Sequence, residues 1–123
     1  AQGPCVIKRL RGCGAGCEYV AITPEGDIYP CHQFVGNEDY KLGSLYDGTF
    51  DKELSGRFAG LNIYTREECR DCWARFYCSG GCSASNLLVN GDIKKPHRVG
   101  CELERKRLEC AIALRAIAAG MAE

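Results

Sequence analysis

Residues Cys69 to Cys82 read CRDCWARFYCSGGC, four thiols in fourteen residues at the spacing Cys-x2-Cys-x5-Cys-x3-Cys. Packing alone does not call for thiols at this density. Gly80 and Gly81 let the backbone wrap closely, so the stretch has the make-up of a ligand loop for a metal or an iron-sulfur cluster. Just upstream, Thr65-Arg66-Glu67-Glu68 matches a capping box, with Thr65 as N-cap and Cys69 and Cys72 one turn apart on the helix start that follows. Trp73, Phe76 and Tyr77, between the second and third thiols, suit either a dry wall beside a cluster or ordinary core.

Ten cysteines among 123 residues approach the density of secreted disulfide scaffolds. The thiols cluster rather than spread, and no signal peptide is visible at the N-terminus, so they are expected to be ligands in a reducing, cytoplasmic setting. Ala1 in place of an initiating Met suggests a fragment or processed chain. Sixteen basic and sixteen acidic residues cancel, which argues against a general nucleic-acid binder. The apolar segment Cys110 to Met121 is broken by Arg115 and is too short for a bilayer core of about 30 Å, so no membrane partner is expected.

Nearer the N-terminus, Gly12-Cys13-Gly14-Ala15-Gly16-Cys17 fails as a dinucleotide fingerprint, because its glycines are not at G-x-G-x-x-G spacing. It suits a ligand loop, since glycines free the backbone to aim amides at sulfur. Two β-prone runs flank Thr23-Pro24-Glu25-Gly26, a turn that would close a hairpin and carry Cys31 back toward Cys13. His32 points away from Cys31 in extended chain and is taken as a polar neighbour rather than a catalytic partner. Leu42-Gly43-Ser44-Leu45 and Tyr46-Asp47-Gly48 are turn signals, and residues 51–59 suit a short helix with Leu54 and Phe58 on its buried face. Residues 83–89 suit a helix stopped at Asn90-Gly91-Asp92, and His97 falls in a basic surface loop. A helix over 102–122 would place Leu103, Cys110, Leu114, Ile117 and Met121 on one stripe, making Cys110 a small buried hydrophobe. Cys101, at that helix's entrance, is a ligand candidate.

Eight candidates result: Cys13, Cys17, Cys31, Cys69, Cys72, Cys78, Cys82 and Cys101, with Cys5 a possible ninth. Eight thiolates serve two four-cysteine sites, and both zinc and 4Fe-4S clusters accept such a set. Zinc sites favour paired Cys-x2-Cys knuckles, of which there is one, whereas the x5 and x3 spacings are easier around a larger cluster. Zinc stays open as a structural alternative, or as an artefact of aerobic handling.

The order Cys13, then Gly26-x4-Cys31, then the central four, then Cys101 resembles the SPASM domain, the C-terminal auxiliary-cluster domain of radical SAM enzymes that modify peptides and proteins. Within it, GCGAGCEYVAITPEGDIYPCHQFVG and CRDCWARFYCSGGC are similar to SCIFF-type maturases, which form thioether crosslinks in Cys-rich peptides. The resemblance implies one α+β domain over 1–123: a cluster loop and hairpin (5–31), the central motif (65–101) and a C-terminal helix (102–122) around two 4Fe-4S clusters. It implies a crossed ligand set, with Cys69, Cys72, Cys78 and Cys101 on auxiliary cluster II and Cys82 joining Cys13 and Cys31 on auxiliary cluster I. Cys17 or Cys5 would complete the latter, unless the position is left for a substrate thiol. Expected partners are a radical SAM barrel and a Cys-rich precursor peptide, and expected roles are electron transfer or substrate-thiol binding. After Cys13 and Cys17 comes Val20, so no Cys-x3-Cys-x2-Cys is present, and the chain alone is not expected to cleave S-adenosylmethionine. His32 stands where the similar sulfatase-maturating enzymes carry an acidic base, which disfavours that reaction here.

Overall fold

The computed structural model describes residues 10–120. Its fold is α+β, a small antiparallel sheet followed by helices. Strands β1 (Ala21–Ile22) and β2 (Asp27–Tyr29) form the expected hairpin, with Ile22 opposite Ile28. Gly26 takes φ +83° and its amide donates to Thr23 O at 2.9 Å, closing the turn as its sequence requires.

The sheet continues past the hairpin. β3 (Gly43–Ser44) and β4 (Thr49–Phe50) extend it in the order β1-β2-β3-β4. Residues 42–45 were expected to be turn, and Gly43 misled for a physical reason. A Cβ there would lie 2.0 Å from Thr49 O, so this glycine permits close approach of a neighbouring strand.

Helix α1 (Lys52–Ala59) starts as expected. Asp51 caps it, accepting from Leu54 N at 2.9 Å, and Leu54 and Phe58 are its buried face. Phe34 fills the centre of the core, edge-on to Phe58 at a centroid distance of 5.4 Å and tilted against Tyr40 at 5.1 Å.

The capping box does not form. Thr65 Oγ1 donates to Gly60 O at 2.7 Å and accepts from Asn62 N at 2.9 Å, so it closes the preceding loop. Arg66 holds the N-cap position of a single 3-10 turn, Glu67–Cys69, with no side-chain cap. Successive i to i−3 bonds, Cys69 N to Arg66 O and Cys72 N to Cys69 O, keep this stretch too tight for the expected α-helix start. Helices α2 (Arg75–Cys78) and α3 (Ser83–Asn90) follow, the latter ended by Gly91 in the left-handed region as its turn signal suggests. Trp73 and Tyr77 are exposed rather than core.

Helix α4 runs Arg98–Ala118, so it begins before Cys101 and holds that thiol in its first turn. Cys110 is exposed, not buried. The same holds for Leu103, Leu114 and Ile117 on its stripe, while Met121 lies outside the described residues. Among the described residues Leu108 alone is buried on α4, so the apolar period marks a face that no other element of the described chain covers.

Candidate metal centre

The N-terminal loop is built on its glycines. Gly14 and Gly16 both take positive φ, and Gly14 O collects the amides of Cys17, Glu18 and Tyr19 at 3.1, 2.8 and 3.2 Å. Gly16 N donates to Pro30 O at 3.1 Å, which ties the loop to the end of β2 immediately before Cys31. The hairpin therefore carries Cys31 back to the Cys13 loop, as the turn signals suggest. Cys31 then caps the 3-10 turn His32–Phe34, with its thiol buried and His32 exposed.

In the central stretch Ser79, Gly80 and Gly81 take φ values of +62°, +93° and +77°, three left-handed residues in succession. Such a run reverses the chain, and only the first of the three meets steric resistance from a side chain. It lies between Cys78 and Cys82. Cys69, Cys72, Cys78 and Cys101 line one cavity of about 300 Å³, with Cys82 also at its wall. The thiols that act on Cys69 are Cys101, Cys78 and Cys72, whereas those acting on Cys31 are Cys82 and Cys13. Cys13 and Cys17 share a separate recess with Arg11 and Arg66. Cys5 lies outside the described residues.

Burial and mutual repulsion set the acidity of these thiols. Burial pushes Cys69 up to about 11, partly offset by Arg66 and reinforced by the neighbouring thiols. Burial raises Cys101 and Cys31 as well. Cys82 goes the other way. Burial would raise it, but the amide and hydroxyl of Ser85, the amide of Ala84 and the Gln33 side chain together hold it below its ordinary value. It occupies the N-cap of α3, where the first-turn amides have no intrahelical acceptor and can act on the sulfur.

A testable consequence concerns the metal-free protein. A thiol whose folded pKa is raised contributes stability that is present below its unfolded value and lost as pH rises through the folded one. With Cys69 moving from 9.0 to about 11, and Cys31 and Cys101 shifted the same way, the metal-free fold should weaken between pH 9 and 11. Urea melts at pH 8 and pH 10.5 should show a loss of roughly 1–3 kcal/mol. Cys69→Val should flatten that dependence.

Further donors surround the sulfurs. Arg105 Nη1 stands 4.0 Å from Cys72 Sγ, Gln33 Nε2 3.8 Å from Cys82 Sγ and Arg11 Nη1 3.6 Å from Cys17 Sγ. Arg11 also pairs with Glu18. Cys17 donates its S–H to Gly14 O at 3.4 Å. Asn86, 1% exposed, fixes the entry to α4 by accepting from His97 N at 2.9 Å. His97, expected at the surface, is half-buried and lines the thiol cavity. None of Arg11, Gln33, Asn86 and Arg105 stood out in the sequence, where each looks like an ordinary surface polar residue.

The donor set fits a negatively charged, thiolate-held cluster. Five thiols line one cavity, bare glycines at 80 and 81 form part of its wall, and Arg75 Nε beside it is buried without a hydrogen-bond partner among the described residues. The nine described cysteines are all free. Among the described residues no three His, Cys, Asp or Glu side chains group closely enough to hold a single metal ion.

Comparison with known proteins follows that geometry. Residues 13–73 match the SPASM family, an iron-sulfur cluster-binding domain. That segment is a SPASM domain. The match ends beside Cys72, so Cys78, Cys82 and Cys101 lie beyond it. The chain is 32% identical over 98 residues to an uncharacterized protein of Archaeoglobus fulgidus, covering 76% of this chain and 23% of that one. It is 31% identical over 84 residues to a PqqA peptide cyclase of Xanthomonas axonopodis, covering 64% and 22%. A serine-type anaerobic sulfatase-maturating enzyme of Klebsiella aerogenes is 28% identical over 86 residues, covering 68% and 20%. The chain thus matches less than a quarter of the length of these relatives. No helix among the described residues is long and apolar enough to cross a membrane.

Proposed function

We propose that the chain is the auxiliary-cluster domain of a cytoplasmic radical SAM peptide maturase and holds two 4Fe-4S clusters. Cys69, Cys72, Cys78 and Cys101 hold one, and Cys13, Cys31 and Cys82, with Cys17 or Cys5, hold the other. What supports the reading is that Cys101, Cys78 and Cys72 act on Cys69 whereas Cys82 and Cys13 act on Cys31, with the left-handed turn at residues 79–81 between Cys78 and Cys82. Thiols ringing one cavity at x2, x5 and x3 spacings, with a single Cys-x2-Cys knuckle among them, favour a polynuclear occupant over zinc.

The names of two relatives, a peptide cyclase and a sulfatase-maturating enzyme, support a peptide or protein substrate and a parent enzyme several times longer than this chain. Thioether crosslinking of a Cys-rich peptide is the substrate chemistry proposed. When bound, the clusters would supply one-electron transfer or a ligand position for a substrate thiol. The chain's own residues would bind and orient them. The helix start and Gln33 lower the pKa of Cys82 and so favour its thiolate, Arg105 and Arg11 direct N–H groups toward Cys72 and Cys17, and burial of Cys69 and Cys31 excludes water.

Anaerobic reconstitution with iron and sulfide tests the reading. About eight irons per chain are expected for two such clusters. A value near four removes one cluster, and tightly held zinc without brown absorbance in protein purified without oxygen would replace the proposal with a structural zinc domain.

A further inference from the structure

Arg66 is 3% exposed, unusual for an arginine, and its side-chain hydrogen bonds among the described residues go to neutral acceptors. Its Nη1 donates to Ile93 O at 2.6 Å and to Lys94 O at 2.9 Å, and its Nη2 to Ser83 Oγ at 3.1 Å. These bonds fix the guanidinium without neutralising it. A buried cation needs anions near it, and within electrostatic reach are the Asp92 carboxylate and the sulfurs of Cys69, Cys78 and Cys82, which become anionic as cluster ligands. The residue thus borders both thiol groups. Its own carbonyl accepts from Cys69 N at 3.0 Å, and its side chain lines the recess that holds Cys13 and Cys17. The left-handed turn is shaped around it, since a Cβ at Gly80 would lie 2.9 Å from both Arg66 Cδ and Nε.

We propose that Arg66 is a positioning residue common to both thiol groups, a fixed buried cation that raises the reduction potential of each cluster. The proposal rests on the two-cluster reading above. Reducing a cluster adds one negative charge, which a nearby cation in a low-dielectric site favours. The same three bonds join the 93–94 loop to the start of α3, so the charge sits at a set distance from each sulfur group.

The test compares wild type with Arg66→Met and Arg66→Lys. Each is reconstituted anaerobically, assayed for iron per chain, and titrated with dithionite and mediators while the EPR signal of each reduced cluster is followed. Arg66→Met should shift both potentials to more negative values, by at least tenfold in the one-electron equilibrium, or about 59 mV. Arg66→Lys, which keeps the charge and loses the planar set of donors, should stay within half that shift. If Arg66→Met loses its iron, retention by Arg66→Lys at near-wild-type potentials still supports the charge. Equal loss of iron from both variants, or unchanged potentials in an iron-loaded Arg66→Met, overturns the proposal and leaves Arg66 a structural brace. A wild-type chain that takes up no iron would instead fail the cluster reading itself.

Discussion

Cys82→Ala is expected to lower the iron content of the reconstituted chain from about eight to about four per molecule, with the surviving cluster held by Cys69, Cys72, Cys78 and Cys101. Spacing alone would place Cys82 with the four-thiol run it closes, whereas the SPASM resemblance assigns it to the group of Cys13 and Cys31. Three left-handed residues agree with the latter by turning the chain after Cys78. Cys82 then counts among the charges felt by Cys31, which also feels Cys13. Its own acidity is set by donors at the start of α3 and by Gln33. Because Cys82 is exposed, the metal-free variant should keep its stability to within about 0.5 kcal/mol, so the iron loss reads ligation and not folding. Iron analysis with EPR of the reduced protein separates the cases. Loss of the Cys69 group's cluster with retention of the other would refute the crossed ligand assignment.

Much of this site was legible because its signals are local. Pro24 and Gly26 dictate a turn, the turn dictates a hairpin, and a hairpin returns Cys31 to Cys13 regardless of the rest of the chain. Asp51 with Leu54 and Phe58 dictates α1 for similar reasons. Misreadings arose where a residue's role depended on a distant partner. Gly43 resembles a turn residue until β4 lies against it, and Thr65 resembles an N-cap until Asn62 and Gly60 engage its hydroxyl. Cys110 follows a buried period, but nothing in the described chain lies beyond Leu108 to bury it. Arg66 was the hardest to see. In sequence it is one charge among Thr65, Glu67 and Glu68, and only the carbonyls of residues 93 and 94 reveal it as interior.

Phe34→Ala should have the largest effect on the fold, and the effect should reach the metal centre unevenly. Phe34 is buried at the middle of the core, in edge contact with Phe58 and tilted contact with Tyr40, so its removal leaves a cavity between α1 and the turn that follows Cys31. Truncation of a buried phenylalanine costs about 3–5 kcal/mol, or about 10–20 °C in Tm for a domain of this size. Phe34 N also donates to Cys31 O at 3.0 Å, closing the 3-10 turn that Cys31 caps. Loosening that turn moves one ligand of the Cys13–Cys31–Cys82 group, while the Cys69 group is carried by residues 67–101, held by Arg66 and Asn86. Thermal melts followed by circular dichroism, together with the rate of iron release to a chelator, measure both effects. The Cys31 cluster should release iron first. Phe34→Leu, which keeps most of the volume, should recover the greater part of the stability and bring the two release rates back together. Equal release from both groups in Phe34→Ala would mean that the core supports them as one unit.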